Sequence, residues 1–140
     1  MYDDNNIFAK IIRKEVPCNF IYEDEKVLFF NDINPQAAIH ILGIPKNKVM
    51  NFRDFISNTN TETINYFFNK VIEVVKSHEL DKSGYRLITN DGLNANQEVP
   101  HFHVHILGGN NLGGLFKWLF FDNNIVYNFF YTFDGFNSLN

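Results

Sequence analysis

Apolar and polar positions alternate most cleanly over residues 101–107, His-Phe-His-Val-His-Ile-Leu. Phe102, Val104 and Ile106 fall on one parity and three histidines on the other. A period of two predicts a β-strand with its apolar face on a core. Short apolar runs predict further strands over 19–23, 26–31, 38–44 and 84–90. Between the last two of these the period lengthens. Ile64, Phe67, Phe68, Val71 and Val75 recur at helical spacing and predict a helix over 60–79. Thr59 and Glu62 stand three apart ahead of it, the spacing of a capping box. Shorter helices are expected over 5–14, ended by Pro17, and over 51–57. Glu23-Asp24-Glu25 reads as a tight turn and Asn34-Pro35 as the start of a loop. The sum is an α+β chain, an antiparallel sheet of about five strands with two main helices packed against it.

Composition narrows the partners. At 140 residues and 45% hydrophobic content, the chain suits one domain with a real core. The net charge is −4, and no Lys/Arg stripe marks a nucleic-acid partner. An anionic ligand would have to be held by directed donors rather than bulk positive charge. Cys18 is the single cysteine, so no internal disulfide forms, which fits a reducing cytoplasm. The opening Met-Tyr-Asp-Asp-Asn-Asn is acidic and polar, unlike a signal peptide. No apolar run approaches membrane-spanning length. A cytoplasmic protein with no membrane partner is the expectation.

His101, His103 and His105 then carry the chemistry. Strand residues two apart are separated by roughly 6.6 Å, which puts His101 and His105 about 13 Å apart. Zinc–nitrogen bonds are about 2.0–2.1 Å long, so one ion could take two of these rings but not three. No metal and no cofactor is expected. An imidazole can instead attack a phosphorus centre, become substituted, and leave again near neutral pH. Its neighbours can orient it or protonate a leaving group. Upstream, the polar loop Asn90–Val99 feeds the chain into this run. Asn90 and Gln97 are neutral donors able to hold phosphate oxygens, or else they satisfy turn backbone. His78 falls at the end of the long helix, where a cation-friendly C-terminus accounts for it.

The alternating run resembles the signature of the histidine triad, or HIT, superfamily of nucleotide hydrolases and transferases. Ile7-Phe8-Ala9-Lys10-Ile11-Ile12-Arg13-Lys14-Glu15-Val16-Pro17 is similar to the opening helix of its purine nucleoside phosphoramidase branch. The block from Phe29 through Asp32, Ile33 and His40 to Lys46 is similar to that branch's second block. Leu107-Gly108-Gly109 after the histidines also fits, and the likeness covers roughly residues 5–116.

The resemblance implies roles by position. His103 would be the nucleophile that forms a nucleotidyl-histidine, and His105 would help the leaving group depart. His101 would support the hydrogen-bond network together with His40. Asn90, Gln97 and the backbone around Glu98 and Val99 would hold the α-phosphate. Asp32 would bind the ribose hydroxyls, and Phe8, Ile11, Phe30 and Ile33 would line the base pocket. The implied activity is cleavage of purine nucleoside phosphoramidates or acyl-nucleotides at the α-phosphate, releasing AMP or GMP. Dinucleoside polyphosphate hydrolysis and nucleotide-binding regulation with little turnover are the alternatives. The implied partners are a purine nucleotide or nucleotide conjugate and a second copy of the chain in a homodimer, with sheets joined edge to edge. Two positions depart from the family. Glu98 stands where eukaryotic members of this branch often have Ser or Thr and bacterial-looking relatives carry Gln-Glu-Val, and its carboxylate is expected to turn away from the phosphate, leaving the backbone N–H. Asn6-Ile7-Phe8-Ala9 replaces the Cys-x-x-Cys that binds structural zinc in some members.

The domain is expected to span residues 1–116. Residues 117–140 follow as an extension whose six phenylalanines need a surface to cover, either the domain or a dimer interface.

Overall fold

A computed structural model of the chain describes residues 1–114, so the aromatic extension lies outside the described residues. Helix α1 (Ile7–Ile12) leads into strands β1 (Phe20–Glu23), β2 (Val27–Asn31) and β3 (Ile39–Pro45). Three helices follow, α2 (Phe52–Asn58), α3 (Thr61–Ser77) and α4 (Leu80–Ser83), and then β4 (Tyr85–Ile88) and β5 (Val104–Gly108). The strands make one antiparallel sheet in the order β1-β2-β3-β5-β4, as the α+β reading expected.

Alternation sorts the side chains of this sheet into two cores. Val27, Phe29, Ile41, Val104 and Ile106 meet Phe55, Phe67, Val71 and Val75 of α2 and α3. Leu28, Phe30, Leu42 and Ile44 face the other way, onto Phe8 and Ile11 of α1. β2 and β3 are covered on both sides, which is why their sequences read as unbroken apolar runs. The first core is aromatic at its centre, with Phe102 stacked on Phe55 at 4.5 Å between ring centroids. Gly43 leaves room in it for Phe29: a Cβ built at Gly43 would stand 2.5 Å from that ring.

Several boundaries differ from the sequence reading. The capping box at Thr59 does not form; Asn60 caps α3 by accepting from the Thr63 N–H at 2.8 Å. Asn60, one residue nearer the helix, takes the Thr63 N–H in place of the Glu62 N–H that Thr59 would have taken. Helix α3 also stops at Ser77, with His78 as its cap. The histidine strand begins only at Val104. Its pairing ends at Gly43 on β3 and Ile88 on β4, and residues 101–103 are tied down otherwise, Phe102 N–H donating to Val49 and Thr89 Oγ1 to the His103 carbonyl.

Candidate active site

His105 lies opposite Leu42 and His40 opposite Leu107 across adjacent strands, so both rings project from the α1 face of the sheet. His101 and His103 continue the same parity upstream of β5. Helix α1 then closes over them: Phe8 meets His103 and His101 edge-on at 5.2 and 6.1 Å between centroids. His40, His101 and His103 are buried and His105 half-buried. The histidines thus sit in a seam between sheet and helix rather than on an open face.

Burial disfavours the charged imidazolium. It pushes His101 and His105 down to about 4, with neighbouring histidines adding to the fall. It also lowers His103, against the pull of its bond to the His101 carbonyl and of the Asp32 and Glu98 carboxylates. His40 is lowered by burial and partly restored by Asp32. All four rings are neutral near neutral pH, and each then has one N–H and one lone pair to place.

The partners assign them. A carbonyl only accepts, so His103 Nδ1, 2.7 Å from the His101 carbonyl, carries the hydrogen, and Nε2 keeps its lone pair. His101 Nε2 donates to the Pro45 carbonyl at 2.8 Å, and its Nδ1 accepts from the Tyr2 hydroxyl. His40 Nδ1 accepts from the Gln36 N–H at 3.1 Å, so its Nε2 carries the hydrogen. That nitrogen faces His105 Nδ1 at 2.9 Å and Asp32 Oδ2 at 3.4 Å. His105 Nδ1 is the acceptor of this pair, which leaves its Nε2 protonated. Two rings only 5.0 Å apart, His103 and His105, therefore present opposite chemistry, a lone pair and an N–H.

Asp32 Oδ2, His40 Nε2 and His105 Nδ1 lie within 4.8 Å of one another, the spacing of a metal-ligand set. The hydrogen on His40 Nε2 makes that nitrogen a donor, so this trio is arranged for proton sharing and not for ligation.

The other expected residues divide. Phe8, Ile11 and Phe30 come together in one buried cluster. A cleft of about 280 Å³ adjoins it, bounded by Ile11, Val16, Cys18, Phe20 and Leu28 among others. Ile33 is not brought in; it is 91% exposed. His40 joins His105 rather than His101, so the four histidines form two separate networks. Gln97 braces the loop: its Nε2 donates to the Met50 and Val99 carbonyls, and its Oε1 accepts from Gly92. Glu98 is exposed, its carboxylate held loosely by Asn96 at 3.4 Å. Asn96 turns the chain with φ of 54°, a left-handed conformation that Asn tolerates better than most residues. The sequence reading missed Tyr2, 99 residues from the ring it touches, and the Gln36 N–H. No local pattern marks either.

Antiparallel pairing, a histidine seam covered by a helix and a glycine-bearing loop into the triad together make a histidine-centred site on an α+β sheet. Residues 13–112 match the HIT domain family, and the chain belongs to it. It is 49% identical over 115 residues to an uncharacterized HIT-like protein of Rickettsia prowazekii, an alignment covering 82% of this chain and 96% of that one. It is 37% identical over 110 residues to the purine nucleoside phosphoramidase of Escherichia coli, covering 79% and 92%. Among solved structures, a HIT family hydrolase from Clostridium thermocellum superposes with a TM-score of 0.74 at 38% identity, covering 80% of this chain and 96% of that one.

Proposed function

We propose that this protein is a hydrolase that cleaves purine nucleoside phosphoramidates or acyl-nucleotides at the α-phosphate through a nucleotidyl-His103 intermediate. The observation that carries the reading is the opposed tautomers of His103 and His105. His103 Nε2 attacks phosphorus with its lone pair, and its Nδ1–H stays on the His101 carbonyl. The bond from phosphorus to the leaving nitrogen or oxygen breaks, and that atom takes the proton of His105 Nε2. The network first takes one proton from solvent, shared between His105 Nδ1 and the Asp32 carboxylate, as the anionic substrate binds, so His105 and His40 both end as neutral imidazoles. The substituted His103 ring carries one positive charge until the second step. Water then attacks phosphorus, releases the mononucleotide and returns the proton.

The N–H groups of Glu98 and Val99 make no backbone bond among the described residues, which suits them to phosphate oxygens. Phe8, Ile11 and Phe30 offer an apolar wall for the purine, and the neighbouring cleft approaches the roughly 300–1,000 Å³ of small-molecule sites. Asp32, whose Oδ1 accepts from the Asn34 N–H at 2.8 Å and whose Oδ2 faces His40, would accept the ribose hydroxyls. The phosphoramidase name of the E. coli relative favours this substrate over a dinucleoside polyphosphate.

Two copies joined along β4 complete the reading. β4 is an edge strand whose Tyr85, Leu87 and Ile88 are exposed, and Ile72 of α3 is exposed as well. Pairing would cover that edge, and light scattering would read a dimer mass. Residues 117–140 are proposed to pack on the domain or on this interface; a truncated chain should then aggregate or become monomeric.

The test is turnover of a fluorogenic adenosine phosphoramidate, with mass spectrometry of the quenched enzyme. The adduct should map to His103, and His103→Ala should bind nucleotide without turnover. Wild-type turnover in that variant would overturn the assignment, and faster cleavage of diadenosine polyphosphate would move the substrate to the other branch.

A further inference from the structure

We infer that Tyr2 is a positioning residue of this site: its hydroxyl locks the His101 ring, and the adjoining His101 carbonyl in turn orients His103.

His101 is fully enclosed, with 0% of its surface exposed. Its ring has one N–H and one lone pair to satisfy, and both are spent. Nε2 donates to Pro45, and Nδ1 accepts from the Tyr2 hydroxyl at 2.5 Å. The two rings meet edge-on, 5.6 Å between centroids. Pro45 lies on β3 and Tyr2 ahead of α1, so the imidazole is clamped from two parts of the chain. The same residue's carbonyl holds the Nδ1 hydrogen of His103. Freedom in the His101 ring therefore reaches the nucleophile through one residue of main chain.

Tyr2 is delivered by a pinned strap. Asp4 pairs with Lys48 at 2.7 Å, Arg13 donates to the Asp4 carbonyl at 2.9 Å, and Asn6 donates to the Asp3 carbonyl at 2.6 Å. Burial raises the Tyr2 phenol, which keeps it protonated as a donor. A phenylalanine would fill the same space and keep the edge contact, so the hydroxyl serves only the bond. Without it a buried lone pair has no partner, a loss that exceeds that of the bond itself. The ring then gains by turning over.

The kinetic part of the test rests on the phosphoramidase reading, while the spectroscopic part does not. Imidazole nitrogen spectra of wild type should show His101 as a clean Nε2–H tautomer. In Tyr2→Phe that signal should shift or broaden, with His103 following. kcat for a neutral phosphoramidate should fall about threefold to tenfold, the weight of one hydrogen bond, with KM unchanged. Tyr22→Phe, which removes a phenol from Asp24, is the control: it should lower stability without moving either readout. Tyr2→Phe with wild-type spectra and kcat overturns the inference, as does a change confined to melting temperature. A wild type that turns over no phosphoramidate sinks the proposed function, and the spectra then decide Tyr2 alone.

Discussion

His40 Nε2 stands 2.9 Å from His105 Nδ1, and the Gln36 N–H on the far side of His40 decides which of the two carries the hydrogen. The pair is a directed proton donor aimed out of the sheet through His105. On the proposed mechanism, in which the missing ring acts on the departing group, His40→Ala is expected to lower kcat by about 10²-fold while KM changes little. The deficit should grow as the leaving amine becomes more basic. A series of phosphoramidates of graded leaving-group basicity checks it, and a uniform loss across the series counts against the relay.

The neutral rings make the fold acid-sensitive. His101 and His105 are held down to about 4 by burial, against an ordinary 6.5. The unfolded chain therefore takes up protons first as pH falls. Stability is complete above 6.5 and is lost from there toward about 4, where the folded rings also protonate. Each contributes about 1.4 kcal/mol of loss per pH unit in that window. Urea midpoints measured at about pH 7 and about pH 5 should separate clearly, and equal midpoints would refute the burial argument.

Burial lowers the proton affinity of the His103 imidazole, and the Glu98 carboxylate opposes it, after the His101 carbonyl and Asp32. Glu98→Gln is expected to lower the affinity further and move the acid limb of kcat/KM to lower pH. It also removes a like charge near the expected phosphate, so product nucleotide should bind more tightly. A pH–rate profile and a nucleotide titration check the two halves, and an acid limb moving upward contradicts the first.

Gly43 has no room for a methyl group. A Cβ there would meet two Phe29 ring carbons at 2.5 and 2.9 Å, and Phe29 in turn stacks on Phe67. Gly43→Ala should cost about 1–3 kcal/mol of stability, as overpacked cores do. Chemical denaturation reads this directly, and an unchanged midpoint would mean that the Phe29 ring gives way freely.

Much of this arrangement is visible in the chain before folding. The period of two around His103 places Phe102 and Val104 on one side and the histidines on the other, and Phe67, Val71 and Val75 mark the covering helix. Local chemistry decides such features, and sequence displays local chemistry. Tyr2 on His101 and Asp32 beside His40 depend on how the segment ahead of α1 and the β2–β3 loop close in space, and no spacing along the chain encodes that. Ile33, which the family resemblance would put on the base pocket, lies exposed on the loop after Asp32. At Thr59 the motif was present but a better-placed neighbour, Asn60, took the role.

Because side chains of the histidine segment alternate between an aromatic core and the seam under α1, tolerance to substitution should itself be periodic. In a saturation library over 101–106, even positions would register as cellular abundance, since Phe102, Val104 and Ile106 hold the core. On the proposed function, His103 and His105 would register as lost turnover at near-normal abundance. One six-residue stretch thus separates the two kinds of selection that act on this protein, tooth by tooth, like a comb.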